Sequence, residues 1–290
     1  MAVTAVRVGG GGLMANCAIY GETMACMAYD ASVPNAARIY NYFLGGKDNF
    51  AVDREAAQKM LAVLPGTVDA CRDNRAFLQR VVRFLAGEVG IRQFLDIGAG
   101  LPTMGNVHEV AQEVVPDARV AYVDYDPVVL SHARALLATN PNVIVVEGDL
   151  RQPEAILADA SLRDLIDFSQ PVALLLVAVL HFVSDRERPH EVVQALVDAL
   201  PPGSYLALAQ STPDDVPDEV TEAMKNAYTN ASAQVTPRPF EEVARFFDGL
   251  APIDPGVVDV TRWRPDLPPA RPSGKAGRQS LVYGGVARKP

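Results

Sequence analysis

Hydrophobic residues recur with helical spacing over the part of the chain before residue 90. Ile39, Tyr40 and Phe43 fall on one helical face, and Pro34 suits the first turn of that helix. The expected helices cover residues 34–44, 53–64 and 67–85. Residues 31–90 are therefore predicted to form a helical cap.

Strand and helix patterns then alternate from residue 93 to residue 210. Strands are expected at 93–97, 119–124, 143–147, 171–180 and 204–210, and helices at 104–115, 128–138, 154–160 and 188–200. The strands have hydrophobic centres, which is typical of a parallel sheet covered on both faces. Right-handed crossovers make such a sheet doubly wound, so the expected fold is α/β and Rossmann-like.

Two further helices, at 217–231 and 239–250, precede two late strands at 257–261 and 280–288. Two strands joined by a loop fit an antiparallel hairpin added to the edge of the sheet. The sequence therefore predicts one α/β domain over 91–290, with seven strands that are mostly parallel.

The first thirty residues show no consistent period. They contain four consecutive glycines, Gly9 to Gly12, and scattered Met and Cys residues. Such a composition is typical of a poorly ordered terminus. Residues 1–30 are expected to be a disordered extension, or to precede the true start of the protein at Met14, Met24 or Met27.

The composition is that of an ordinary globular chain, with 49% hydrophobic and 21% charged residues. The formal net charge of −9 argues against surface-wide binding of nucleic acid or anionic lipid. The longest apolar run, 171–180, is about half as long as a membrane-spanning helix. The three cysteines lack the paired spacing of a zinc or redox centre, so no metal is expected and the cytoplasm is the natural compartment.

Acidic residues and glycines follow three of the predicted strands. Asp96, Gly98 and Gly100 lie at the end of the first strand, Asp124 ends the second, and Asp149 follows the third. Ligands of open α/β sheets bind at these carboxyl ends. Glycines let a ligand approach the backbone, and the two later carboxylates suit ribose hydroxyls and an adenine amino group.

Each of these residues also has a structural alternative. The glycines can form a tight turn, Asp124 can cap the helix that follows it, and Asp149 can be a loop or capping residue. The glycine spacing departs from G-x-G-x-x-G, because the next glycine after Gly100 is Gly105 and Pro102 removes a backbone donor. A nicotinamide-dependent oxidoreductase is therefore disfavoured.

Four sequence segments carry a resemblance to known proteins: FLDIGAG at 94–100, YVDYDP at 122–127, EGDL at 147–150 and ARIYNYFLGGKDNF at 37–50. The first three resemble the cofactor site of class I S-adenosylmethionine-dependent methyltransferases. The fourth is similar to a bacterial, actinomycete-type S-adenosyl methyltransferase family formerly catalogued as a domain of unknown function. The likeness extends over about 34–289 and implies S-adenosyl-L-methionine as the cofactor.

The resemblance also implies a role for each residue at the strand ends. Those expected to contact the methionine part of the cofactor, or to orient its loop, are Asp96, Gly98, Ala99 and Gly100. Those expected beside the ribose and the adenine are Asp124, Tyr125, Asp149 and Leu150. Ala178 and the residues up to His181 would face the sulfonium and the methyl acceptor.

The glycine turn at 45–50 has two interpretations. Two glycines after an apolar helix most simply end that helix, and a lysine suits its C-terminus. Alternatively, the turn is a lid over the sheet edge, with Gly46, Lys47, Asp48 and Asn49 supplying polar contacts.

His181 is the candidate general base, because it follows the fourth strand of the sheet and histidine has an ordinary pKa near 6.5. The alternative is a local hydrogen bond or a contact with the cofactor. Tyr42 and Phe182 are candidate aromatic faces for the cationic sulfur.

The leading functional hypothesis is a methyltransferase that acts on a small-molecule acceptor, with the helical cap and the region from 211 to 250 shaping the acceptor pocket. The alternative is a non-catalytic sensor or partner-binding module for S-adenosylmethionine or its demethylated product. The enzyme would need a cavity beside the sulfonium, whereas packed side chains would fill that place in a sensor. No oligomeric state is predicted.

Overall fold

The computed structural model describes residues 4–7, 13–20, 23–103, 105–137, 140–266 and 281–290. Within these residues the strands are β1 (Thr4–Arg7), β2 (Leu13–Tyr20), β3 (Thr23–Asp30), β4 (Gln93–Ile97), β5 (Arg119–Asp124), β6 (Val143–Glu147), β7 (Ala173–Val177), β8 (Tyr205–Ser211), β9 (Ala251–Pro252), β10 (Val258–Asp259) and β11 (Val282–Arg288). The helices are α1 (Ala36–Phe43), α2 (Ala51–Val63), α3 (Thr67–Phe84), α4 (Val107–Val114), α5 (Pro127–Leu136), α6 (Pro153–Ala158), α7 (Ala160–Leu165), α8 (Pro189–Asp198), α9 (Asp218–Ala227) and α10 (Phe240–Arg245).

The main sheet has the strand order β10-β11-β8-β7-β4-β5-β6, and β9 also pairs with β11. Strands β4 to β8 are parallel, whereas β11 runs antiparallel to β8. The chain moves outward from β4 in one direction through β5 and β6, and in the other through β7 and β8. The carboxyl ends of β4 and β7 therefore form the switch point at which such sheets bind ligands.

This architecture confirms the predicted α/β fold with an antiparallel C-terminal hairpin. The described part of the sheet has eight strands rather than seven, because β9 adds a short pairing to β11. The strand expected at 257–261 is only two residues long, since the Asp259 side chain accepts hydrogen bonds from the backbone and hydroxyl of Thr261 and turns the chain. Met104, Ala138 and Ser280, which were expected at element ends, lie outside the described residues.

Hydrophobic side chains cover both faces of the sheet. Helices α3, α4 and α5 pack on one face, and helices α6, α7, α8 and α10 pack on the other. Trp263 belongs to the first of these layers, where its ring is fully buried with Phe77 at 5.5 Å and Phe84 at 5.8 Å between ring centroids. The described start of the loop after β10 therefore contributes to the core.

The predicted N-terminal helices are present, and they lie over the carboxyl end of the sheet. Residues of α1, α2 and α9 form a separate hydrophobic cluster that includes Ile39, Met60 and Met224. The predicted boundary between a helical cap (31–90) and an α/β domain (91–290) stays a prediction. Helix α3, at the end of the cap, also packs on the face of the sheet.

The structure differs from the expectation of a disordered segment over residues 1–30. Strands β1, β2 and β3 form a separate antiparallel sheet, and β2 and β3 lie beside α5. The two longer strands are eight residues each, and Tyr20 pairs with Thr23; in the sequence, Gly21 follows Tyr20. A glycine at that position is a hairpin signal, which outweighs the lack of a clear hydrophobic period.

No helix in the described part of the chain is both long enough and apolar enough to cross a membrane.

Candidate functional site

A cleft lies at the switch point of the sheet, where the loops after β4, β5, β6 and β7 meet beneath α1. It contains about 1160 Å³ of space not filled by protein atoms, part of which is continuous with solvent. The sequence-predicted residues that line it are Asp96, Gly98, Ala99, Gly100, Asp124, Tyr125, Asp149, Leu150, Ala178 and Phe182. Loops that are far apart in sequence thus converge on one cleft.

The loop after β4 adopts a conformation that glycine favours. Gly98 has a φ of +80°, and its backbone N–H donates to the carbonyl of Val123 at 2.8 Å. A Cβ atom on Gly98 would lie 2.3 Å from a methyl group of Val179. Gly100 has a φ of +65°, and a Cβ atom there would meet nothing within 4 Å. The first glycine is therefore required by packing, and the second leaves backbone open to the cleft.

Asp124 holds this loop against the loop that follows β5. One carboxylate oxygen accepts from the backbone N–H of Gly100 at 2.9 Å, and the other accepts from that of Asp126 at 3.0 Å. Burial raises the pKa of Asp124 to about 6, although these backbone donors oppose the rise. The cap of α5 is Asp126, which accepts from Val128 and Val129, so Asp124 does not fill its alternative capping role.

Asp96 and Arg75 bring opposite charges to the inner wall of the cleft. Burial raises the pKa of Asp96 to about 7; Arg75 opposes the rise, and Asp124 adds to it. One terminal nitrogen of Arg75 donates to Asn106 at 3.2 Å, whereas its buried Nε has no hydrogen-bond partner among the described residues. Sequence reasoning missed Arg75. The available signal was its spacing from Cys71 and Leu78, which places it on the buried face of α3.

Asp149 lines the cleft but is already paired. Both of its oxygens accept from the Arg151 guanidinium, at 2.6–3.0 Å, and Arg151 also contacts Glu187 at 3.1 Å. Burial alone would raise the pKa of Asp149, but the hydrogen bonds from Arg151 outweigh it and leave that pKa below its ordinary value. The same guanidinium lies 5.8 Å from the ring centroid of Tyr125, so a basic and an aromatic group stand together at the outer end of the cleft.

A buried polar network holds α1 over the cleft. The Asp53 carboxylate accepts from the Asn35 backbone and from Arg38 Nε, each at 2.8 Å, and from the Phe50 backbone at 2.7 Å. Asn35 also donates its side-chain amide to Asp126 at 2.6 Å. Arg38 and Asp53 are 2% and 0% exposed, so this ion pair ties α1 to α2 inside the protein. The network explains why the segment at 37–50 carries a buried arginine, Arg38.

The structure does not place the glycine turn in the cleft. Asn41 accepts from the Asp48 backbone at 3.1 Å and from the Asn49 side chain at 3.0 Å, and a Cβ atom on Gly46 would overlap the Asn41 side chain. Gly46 and Asp48 line a separate groove, while Lys47, Asn49 and Tyr42 line neither that groove nor the cleft. These contacts fit the helix-ending interpretation, and the role of the turn as a lid stays a prediction.

A second, inner cavity adjoins the cleft. It contains about 780 Å³ of unfilled space, part of which is continuous with solvent, and it lies between α1, α2, α3 and α9. It shares Ala36, Tyr40, Ala178 and Phe182 with the cleft. Ala178 has a φ of +60°, which is uncommon for a residue other than glycine and marks the junction of the two spaces.

His181 lines the inner cavity and not the cleft. Burial and the nearby Arg238 lower the pKa of His181 to about 3, so its ring is neutral at physiological pH. Its Nδ1 atom is buried without a hydrogen-bond partner in the described part of the protein.

Comparison with known proteins places this geometry in a family. A model of the family described as S-adenosyl methyltransferase matches residues 22–290. A DUF574 family protein from Streptomyces avermitilis is 41% identical, with a TM-score of 0.84, over 90% of this chain and 99% of that one. A candidate methyltransferase from Thermobifida fusca is 45% identical, with a TM-score of 0.81, over 89% of this chain and 96% of that one. No match is found among curated proteins.

Proposed function

The chain belongs to the S-adenosyl methyltransferase family, and from that premise we propose that it is a cytoplasmic bacterial enzyme that methylates a small-molecule acceptor. S-adenosylmethionine is its cofactor. The observation that carries the proposal is the pair of adjoining spaces, because a cleft for the cofactor opens directly beside a cavity for an acceptor. A sensor would need only the first of the two.

The charges of the cleft fit S-adenosylmethionine. Arg75, with its unpartnered Nε, would hold the carboxylate of the methionine part, and the Asp96 carboxylate would attract the ammonium group. Asp124 keeps lone pairs available for ribose hydroxyls besides its two backbone contacts. Gly98, Ala99 and Gly100 would present backbone to the same ligand.

The outer end of the cleft suits the adenine. Tyr125 and Leu150 would contact its ring, and the paired Asp149 and Arg151 would border its polar edge. Both oxygens of the Asp149 carboxylate accept hydrogen bonds from Arg151. A hydrogen bond from the adenine amino group would therefore have to share one of these oxygens with Arg151.

When bound, S-adenosylmethionine supplies a methyl group on a cationic sulfur, and its transfer to a hydroxyl or amine forms one carbon–heteroatom bond, breaks the carbon–sulfur bond and releases one proton. The protein contributes mainly position, which can supply several kcal/mol, up to about 7–11 in the best cases. Phe182 borders both spaces and would turn an aromatic face to the cation. His181 stays a candidate base, but its low pKa suits accepting a hydrogen bond better than holding a proton.

Calorimetry tests the proposal. Wild-type protein should bind S-adenosylmethionine and S-adenosylhomocysteine, and Asp124→Ala should weaken both by more than tenfold through lost hydrogen bonds to ribose. Asp117→Ala, which removes an exposed carboxylate paired with exposed Arg92, is the control and should bind like wild type. Unchanged affinity in Asp124→Ala would remove Asp124 from the site. Tight NADH binding without competition from S-adenosylmethionine would favour an oxidoreductase.

A further inference from the structure

The walls of the inner cavity carry no full charge. They come from the cap helices, from α9 and from the ends of β7 and β8, and none of the described side chains that line the cavity is a carboxylate, an ammonium or a guanidinium. His181 also lines the cavity, and its ring is neutral at physiological pH because burial and Arg238 lower its pKa to about 3. A charged molecule placed there would lose its hydration without gaining a counter-charge, which is costly.

The cavity walls include several aromatic rings. Tyr40, Phe43, Phe182 and Tyr228 line it, and the rings of Phe182 and Tyr228 stand 6.0 Å apart between centroids at 48°. Rings at this distance are in contact with each other, and a further ring can pack beside them in an offset or edge-to-face arrangement. The shape and chemistry of the walls therefore favour a flat, largely apolar molecule.

Three residues of these walls each carry a buried polar atom with no hydrogen-bond partner in the described part of the chain: His181 Nδ1, Asn74 Oδ1 and Ser211 Oγ. Asn74 is 4% exposed, and its amide nitrogen already donates to the Tyr40 hydroxyl at 3.1 Å. Buried polar groups of native proteins are nearly always paired, so unpaired ones on a cavity wall indicate a ligand that pairs them.

We infer that the inner cavity binds an uncharged aromatic acceptor whose hydroxyl or similar polar group is recognised by His181, Asn74 and Ser211. This inference rests on the proposed function, since the cavity matters as an acceptor site only beside a bound cofactor. His181 is a positioning residue here: it orients the acceptor through a hydrogen bond.

The test uses three probes of one ring system: 2-naphthol, naphthalene and naphthalene-2-carboxylate. Binding is measured at pH 7.5 by ligand-observed NMR on the full chain saturated with S-adenosylhomocysteine. The neutral 2-naphthol should bind at least tenfold more tightly than the carboxylate, and about fivefold more tightly than naphthalene. Equal or tighter binding of the carboxylate would overturn the inference.

Variants locate the probe. Ala70→Phe on α3 fills the cavity and should weaken 2-naphthol at least tenfold, whereas Ala62→Phe on the exposed face of α2 should not. Met224→Trp fills the cavity from α9 and serves if the first variant fails to fold. Wild-type affinity for 2-naphthol in folded cavity-filling variants would overturn the assignment of the site.

His181→Phe keeps a ring but removes the nitrogen atoms, so the preference for 2-naphthol over naphthalene should fall below its wild-type value, with Asn74 and Ser211 supplying what remains. An unchanged preference would exclude His181 from recognition. S-adenosylhomocysteine affinity is measured on the same samples. If wild type does not bind S-adenosylhomocysteine, the proposed function fails; if it binds but the probe pattern is absent, only the acceptor inference fails.

Discussion

Replacing Asp96 by Asn should stabilise the ligand-free protein at high pH. Asp96 is 6% exposed, and burial is the main reason that its pKa rises from 3.8 to about 7. Arg75 opposes this rise, whereas Asp124 adds to it. The folded protein therefore holds the proton of Asp96 more tightly than the unfolded chain does.

The magnitude follows from the pKa difference. A rise from 3.8 to about 7 corresponds to roughly 4 kcal/mol between the two protonation states. The folded protein has the full benefit of its tighter hold on the Asp96 proton below pH 3.8, and it loses this contribution to the unfolding free energy as the pH rises through about 7. Between pH 5 and pH 8 the wild type should lose about 2–3 kcal/mol of unfolding free energy from this group alone.

The assay is urea denaturation of wild type and Asp96→Asn without ligand, at pH 5, 6, 7 and 8. The amide does not titrate. The unfolding free energy of the variant, relative to that of the wild type, should therefore rise by about 2–3 kcal/mol between pH 5 and pH 8. Asp164→Asn, which removes an exposed carboxylate of α7, is the control and should stay parallel to wild type. A constant difference between wild type and Asp96→Asn at all four values would refute the argument that burial of this carboxylate is costly.

Three further substitutions test the architecture of the site and the core by chemical denaturation. Gly98→Ala should lower the unfolding free energy by more than about 2 kcal/mol and abolish S-adenosylhomocysteine binding. Gly90→Ala is the control: Gly90 has a similar φ of +84° but open space around it, so the loss should be only about 1 kcal/mol. Equal losses would contradict the packing argument. Asp53→Ala should cost about 3–5 kcal/mol by leaving a buried guanidinium unpaired, and Arg72→Ala, from an exposed pair, should cost under about 1; similar losses would show that burial does not matter. Trp263→Ala should cost about 3–5 kcal/mol, and a loss below 1 would show that its loop is not part of the core.

The parts of the site that were predictable are those where local pattern fixes position. Parallel strands bring their carboxyl ends to one edge, so Gly98, Asp124 and Asp149 could be expected to lie together. The sequence also decides whether Asp124 caps α5. Pro127 occupies the first position of that helix, which marks the preceding Asp126 as its cap.

The remaining features depend on contacts between distant parts of the chain. The pairing of Arg38 with Asp53 joins two helices, and the approach of Arg75 to Asp96 joins a helix to a strand end, so neither is visible in a local pattern. His181 was expected to face the sulfonium and the methyl acceptor, and the short helical turn after β7 places it on the wall of the inner cavity. Its role, like those of the other site residues, stays a prediction.

Helix α1 has a consequence for the order of events in turnover. Ala36 and Tyr40 belong to the walls of both spaces, and the carboxylates of Asp53 and Asp126 anchor the start of this helix through Asn35. Any movement of α1 that opens the cleft thus also changes the walls of the inner cavity, and the reverse. Release of S-adenosylhomocysteine and release of the methylated product would then be coupled. Each would inhibit the enzyme with an affinity that depends on whether the other is still bound.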